Sequence, residues 1–141
     1  MGSGFYNFEE RYKGKTHRMG AIFDMTGIFK TPNATSMDLD AVHRVDDVYV
    51  FVELKKKGTP FKASERYVYE DICEAFNMTG KNAYYIEAWY EDTDDDSPVN
   101  EADALVQRIY FDGDYAFKIK GTITVKDICR LIYNMHGMDV V

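Results

Sequence analysis

The chain has 141 residues, 45% of them apolar, and a formal charge of -7. That length supports one core and not two, so residues 1–141 are expected to form a single domain. The acidic balance excludes binding to nucleic acid by bulk attraction, so such a partner requires a locally basic strip or a bridging cation. No run reaches the ~18 consecutive apolar residues of a membrane span, and the first residues lack a charged segment followed by an apolar one. No membrane partner and a cytoplasmic location are the expectations. Cys73 and Cys129 each lie among apolar residues at helical spacing, as reduced core thiols do.

In chain order, Phe5, Phe8 and Tyr12 recur at spacings of three and four around Glu9 and Glu10, which predicts a short helix ended by Gly14. Residues 19–29 mix apolar side chains with Gly20 and Gly27, and helix and strand compete there. After the turn-rich "KTPNATS", residues 37–58 read as a β-hairpin, with Asp46-Asp47 at the turn and valines and aromatics on both sides. Residues 63–78 place Val68, Ile72, Cys73, Ala75 and Phe76 at helical spacing, with Gly80 beyond as a stop. "NAYYIEAWY" (82–90) is a strand and 91–103 an acidic solvated loop. "LVQRIYF" and "YAFKIKG" flank Asp112-Gly113, a strong hairpin signal. Thr124, three residues before Asp127, caps a last helix with Ile128, Leu131, Ile132 and Met135 on one face. The fold class expected is α/β, a mixed sheet flanked by helices.

The hairpin register has chemical consequences. With Asp46 and Asp47 in the turn, Val45 pairs with Val48 and opposed residue numbers sum to 93. One face then carries Leu39, Ala41, His43, Val45, Val48, Val50, Val52 and Leu54, an apolar core face on which His43 reads as a satisfied histidine. The other carries Asp38, Asp40, Val42, Arg44, Tyr49, Phe51, Glu53 and Lys55, with Asp40 opposite Glu53 and Asp38 opposite Lys55. Opposed carboxylates repel by about a few tenths to 1 kcal/mol when solvated. A hard divalent cation shared by the two would neutralise them. The alternative is a solvated face, with Asp38 paired to Lys55 and Lys56-Lys57 as a solubilising strand end.

"LDAV", a turn and "VYVFVELKKKG" resemble the core motif of the PD-(D/E)xK nuclease superfamily: an aspartate on one strand, then an acidic residue, any residue and a lysine on the next. Asp40 matches the first position and Glu53-Leu54-Lys55 the second, 13 positions on. The resemblance spans roughly residues 5–90, and Leu39 stands where the motif's name has proline. It implies a restriction-endonuclease-like core and Mg²⁺- or Mn²⁺-dependent phosphodiester hydrolysis, on DNA or RNA, of junction-resolvase or phage type. Asp40, Glu53 and the Leu54 carbonyl would hold the metal, joined by Glu9 or Glu10 of the first helix, and Lys55 would orient or deprotonate water. Lys56, Lys57, Lys62 and Arg66 would form a basic strip for the nucleic-acid backbone, against the plainer reading of a solvated strand end and helix start. Small members of the group commonly act as homodimers. The competing reading is a nuclease-like fold without catalysis that binds or inhibits a protein or DNA partner.

Other signals are weaker. Asp92, Asp94, Asp96 and Asp103 have calcium-loop intervals, but Ser97 replaces the glycine and Asp103 the glutamate such a loop needs. Trp89, in an aromatic run, reads as core or interface, and Tyr67 and Tyr69 either line the site or pack.

Overall fold

The computed structural model describes residues 37–91, 99–116 and 122–138. The expected first helix with Glu9 and Glu10, the segment 19–29, most of the acidic loop and residues 117–121 lie outside the described residues.

The hairpin forms in the expected register. Strands β1 (Ala41–Val45) and β2 (Val48–Lys56) pair antiparallel, with Val45 opposite Val48, His43 opposite Val50 and Ala41 opposite Val52. Asp46 takes a left-handed backbone, φ 52°, which aspartate tolerates better than most side chains and which lets the two strands close in two residues. Helix α1 (Ala63–Met78) then carries the chain back over the sheet to β3 (Asn82–Tyr90), which pairs parallel with β2 over its whole length. A parallel pair requires such a crossover, and a helix at period 3.6 supplies it with one apolar stripe. Gly80, φ 87°, follows the helix end as expected.

A short 3₁₀ turn, Glu101–Asp103, leads into β4 (Leu105–Phe111), antiparallel to β3. The register slips between Glu87 and Ala88, whose partners Arg108 and Val106 leave Gln107 as the extra residue of a bulge. Asp112 and Gly113, φ 53° and 86°, close the second hairpin with β5 (Asp114–Ala116), as "DGD" predicted. Helix α2 (Val125–Met135) ends the fold, with the Asp127 amide donating to Thr124 Oγ1 at 3.2 Å. The sheet is mixed and five-stranded, in the order β1-β2-β3-β4-β5.

Both faces of this sheet are covered. Val48, Val50, Val52, Tyr84, Ile86, Ala88 and Val106 pack with Val125, Ile128, Ile132 and Tyr133 of α2. On the opposite face Phe51, Ala83, Tyr85 and Tyr110 pack with Tyr69 and Cys73 of α1. The second burial corrects the reading of β2 as a strand with one solvated face. A strand between two parallel or antiparallel neighbours and under a crossover helix is buried on both sides, whatever charge its sequence carries. In α2 the apolar face is turned from that expected: Ile128 and Ile132 are buried with Val125 and Tyr133, whereas Leu131 and Met135 are 54% and 63% exposed. Cys73 is buried and Cys129 half-buried, both free thiols, and burial pushes Cys73 up to about 12. Among the described residues no helix is long and apolar enough to cross a membrane.

Ile86, at the centre of the α2-facing layer, is fully buried. Ile86→Ala is expected to cost about 2–5 kcal/mol, and Leu131→Ala about 0.5 kcal/mol or less. Equilibrium urea unfolding of the two variants beside the parent checks both values.

Candidate active site

The site begins where the β1–β2 ladder ends. In a hairpin closed by a two-residue turn the doubly hydrogen-bonded pairs are 45/48, 43/50 and 41/52, so the Leu54 amide and carbonyl face the position that residue 39 would occupy. β1 stops at Ala41. The Asp40 carboxylate takes the place of the missing backbone, accepting from the Leu54 amide at 2.7 Å through Oδ2. This bond turns the Asp40 carboxyl inward from an otherwise exposed residue and brings it within hydrogen-bond reach of the Glu53 carboxyl. The expected Asp40–Glu53 juxtaposition is present, with the Leu54 carbonyl on the same edge of the strand.

Glu53 is only 5% exposed, because α1 lies over this face of β2. Tyr69, on the second turn of α1, donates its hydroxyl to Glu53 Oε1 at 2.8 Å. Burial outweighs that bond, and with Asp40 beside it Glu53 is pushed up to about 7. Asp40 is also raised, again by burial first, although the Leu54 amide favours its anion. Two carboxyls that cannot both ionise cheaply in one place share a proton at neutral pH.

Lys55 completes the group. Its Nζ is 3.5 Å from Glu53 Oε2 and 3.4 Å from Glu65 Oε1, so the ammonium bridges the strand and the first turn of the helix. Burial disfavours the ammonium, but Glu65 and Glu53 together outweigh it and Lys55 is raised. The Asp38–Lys55 pair implied by extending the hairpin register is not formed: Asp38 precedes β1 and is exposed. Glu65 is the member that sequence reasoning missed. An acidic residue in a helix's first turn has an ordinary reason to be there, and only the return of α1 over β2 brings it to Lys55.

A second polar group lies one strand away. Glu87 of β3 is the register partner of Glu53 and is fully buried. Arg66 grips it with Nε and Nη2, the latter at 2.9 Å, Tyr85 donates its hydroxyl at 2.8 Å, and Arg108 Nε stands 3.9 Å away. Tyr85 stacks on Tyr69, centroids 4.2 Å apart, so the two carboxylate groups are joined through an aromatic pair. Arg66, expected in a basic strip, is thus the counter-ion of a buried carboxylate. The rest of the strip is spread over the surface. Lys57 pairs with Glu91 at 3.2 Å, Lys56 is exposed at the end of β2, and Lys62 is exposed at the start of α1.

Other singled-out residues have structural partners. His43 is half-buried and hydrogen-bonds to Glu101 at 2.8 Å, a bond that raises the imidazole. Trp89 stacks on Phe61 and donates to the Thr59 carbonyl at 2.9 Å. Tyr69 lines the site, as one of its two expected roles, while Tyr67 is 63% exposed.

The donor set can be compared with what a metal needs. Among the described residues no three His, Cys, Asp or Glu side chains form a metal-binding group. Mg²⁺ uses one or two carboxylates and keeps several waters. Asp40, Glu53 and the Leu54 carbonyl are the oxygen donors that could hold such an ion, and burial is the first cause of the raised carboxyls. Glu9, the remaining expected ligand, lies outside the described residues.

Two outcomes follow from the electrostatics. Glu53 is raised above its ordinary value of 4.5 to about 7, so the folded state holds a proton the unfolded chain releases. The Glu53 contribution to stability without divalent metal is full below about pH 4.5 and is lost as pH rises through about 7, since the ionised form is the one folding disfavours. Glu53→Gln should flatten this slope and raise the melting temperature at pH 8 in EDTA. Arg66→Ala strands the buried Glu87 carboxylate and is expected to cost about 3–5 kcal/mol, against about 0–1 for Lys57→Ala at an exposed pair. Urea titrations at fixed pH measure the difference.

No protein family, no curated protein and no solved structure matches this chain.

Proposed function

We propose that this chain is a Mg²⁺- or Mn²⁺-dependent nuclease acting on DNA, with Asp40, Glu53 and Lys55 as its catalytic group. The observation that carries the reading is the convergence of the Asp40 and Glu53 carboxyls at the open edge of one hairpin, with the Lys55 ammonium 3.5 Å from Glu53. The order of hairpin, helix and parallel strand supports it, being the order that the resemblance of "LDAV" and "VYVFVELKKKG" to the PD-(D/E)xK superfamily implies.

Asp40, Glu53 and the Leu54 carbonyl would hold the cation. When bound, it supplies charge for the scissile phosphate and lowers the pKa of water. The chain's own contribution is positional and electrostatic. Asp40 is fixed by the Leu54 amide, and Glu53 by the Tyr69 hydroxyl, so neither carboxyl rotates freely. The α1 cover excludes solvent from Glu53, which strengthens each interaction inside the site. Lys55, kept as an ammonium by Glu65 and Glu53, orients a water or a phosphate oxygen and offsets the charge that grows there. Lys62, exposed at the start of α1, would meet the backbone of the substrate.

The test is cleavage of single-stranded, linear, nicked and branched DNA, and of RNA, by the purified protein with Mg²⁺ or Mn²⁺. Lys55→Ala and Glu53→Ala are each expected to lower the rate by about 10²-fold or more. Mn²⁺ at a hundred times its dissociation constant should stabilise the parent by about 2.7 kcal/mol, and Glu53→Ala should lose this. Equal cleavage by parent and variants sinks the assignment. Metal stabilisation without cleavage moves the reading to a non-catalytic binding protein.

A further inference from the structure

Glu65 has no part in the motif, yet its carboxylate is placed as if for one task. Its Oε1 is buried and accepts no hydrogen bond, and among the described residues its cationic neighbour is Lys55, at 3.4 Å. A desolvated carboxylate oxygen without a hydrogen bond is costly, so the contact with the ammonium is what keeps it there. Lys55 in turn has two carboxylates, one on its own strand two residues back and one on α1. These are not equivalent. The Glu53 oxygens belong to the pair that would take up a cation, and a divalent ion at that pair displaces an ammonium from Glu53 and repels it. A lysine side chain has four flexible carbons, and without a second anchor it swings to solvent. Glu65 makes its ion-pair contact in the site with Lys55, and it sits on the first turn of a helix whose position is set by Tyr69 and Cys73 in the core.

We propose that Glu65 is the positioning residue for Lys55: its carboxylate holds the ammonium beside the Asp40–Glu53 pair once the Glu53 oxygens are occupied. This rests on the nuclease reading above. It adds a second residue from α1, beside Tyr69, to a site otherwise built from one hairpin, and it makes the loop between β2 and α1 part of the catalytic geometry. Glu65's contact in the site is with the Lys55 ammonium. Its removal lowers turnover without weakening substrate or metal, whereas a fourth metal ligand would weaken metal and a structural residue would lower stability first.

The test is a double-mutant cycle of Glu65→Gln and Lys55→Met, read in two ways. In urea unfolding with EDTA the two substitutions are expected to be non-additive, and an additive result overturns the contact whether or not the protein cleaves DNA. In Mg²⁺-dependent cleavage, Glu65→Gln is expected to lower kcat about tenfold with KM and the Mn²⁺-induced melting shift unchanged. The same change in the Lys55→Met background should do nothing further. Glu65→Asp, shorter but charged, should recover part of the loss. A loss of metal-induced stabilisation, or an equal loss in both backgrounds, overturns the positioning role. No cleavage by the parent with the urea coupling intact removes the nuclease reading, and with it this role, leaving an ion pair.

Discussion

The burial of one carboxyl organises this molecule. Glu53 sits on the central pair of strands, is covered by α1 and is 5% exposed. An isolated anion there would be strongly disfavoured. Everything around it answers that cost: the Tyr69 hydroxyl, the Lys55 ammonium, and a proton shared with Asp40. The same burial raises Glu53 to about 7, the feature on which the proposed cation site rests.

The neighbouring carboxylate shows the contrasting solution. Glu87 is as deeply buried as Glu53 and lies beside it in register, but Arg66 provides a two-point guanidinium clamp and Tyr85 a hydroxyl. One carboxylate is held by a guanidinium, and the other by a hydroxyl and an ammonium with a second carboxyl beside it. The stacked Tyr69 and Tyr85 rings fill the space between them and keep water out of both. A rigid ion pair thus stands beside a carboxyl pair that burial raises.

Much of this was legible along the chain, and the reasons differ by element. The hairpin register followed from Asp46-Asp47 and from valines alternating with polar residues, because side chains in a strand have a period of two and a one-residue slip would bury the wrong set. The second hairpin followed from Asp112-Gly113, where both residues need positive φ. The α2 face was misjudged at Leu131 and Met135, since several apolar stripes were available on that helix and only packing against β2 and β3 selects one. Glu65 and the Arg66–Glu87 pair were not visible, because Glu65 lies 10 positions from Lys55 and Arg66 lies 21 from Glu87.

What the sequence determined by itself is local. It set the turn positions, the strand alternation, the cap at Thr124, and the opposition of Asp40 to Glu53 with Lys55 on the same face. These depend on backbone geometry over a few residues. The tertiary structure decided which charges are solvated. The sequence permitted Glu53 and Lys55 to point at water. The parallel return of β3 through α1 puts a helix over that face, and desolvation raises the Glu53 carboxyl and, beside it, that of Asp40. Dielectric surroundings are set by atoms distant in sequence, so they are fixed only when the chain has closed on itself.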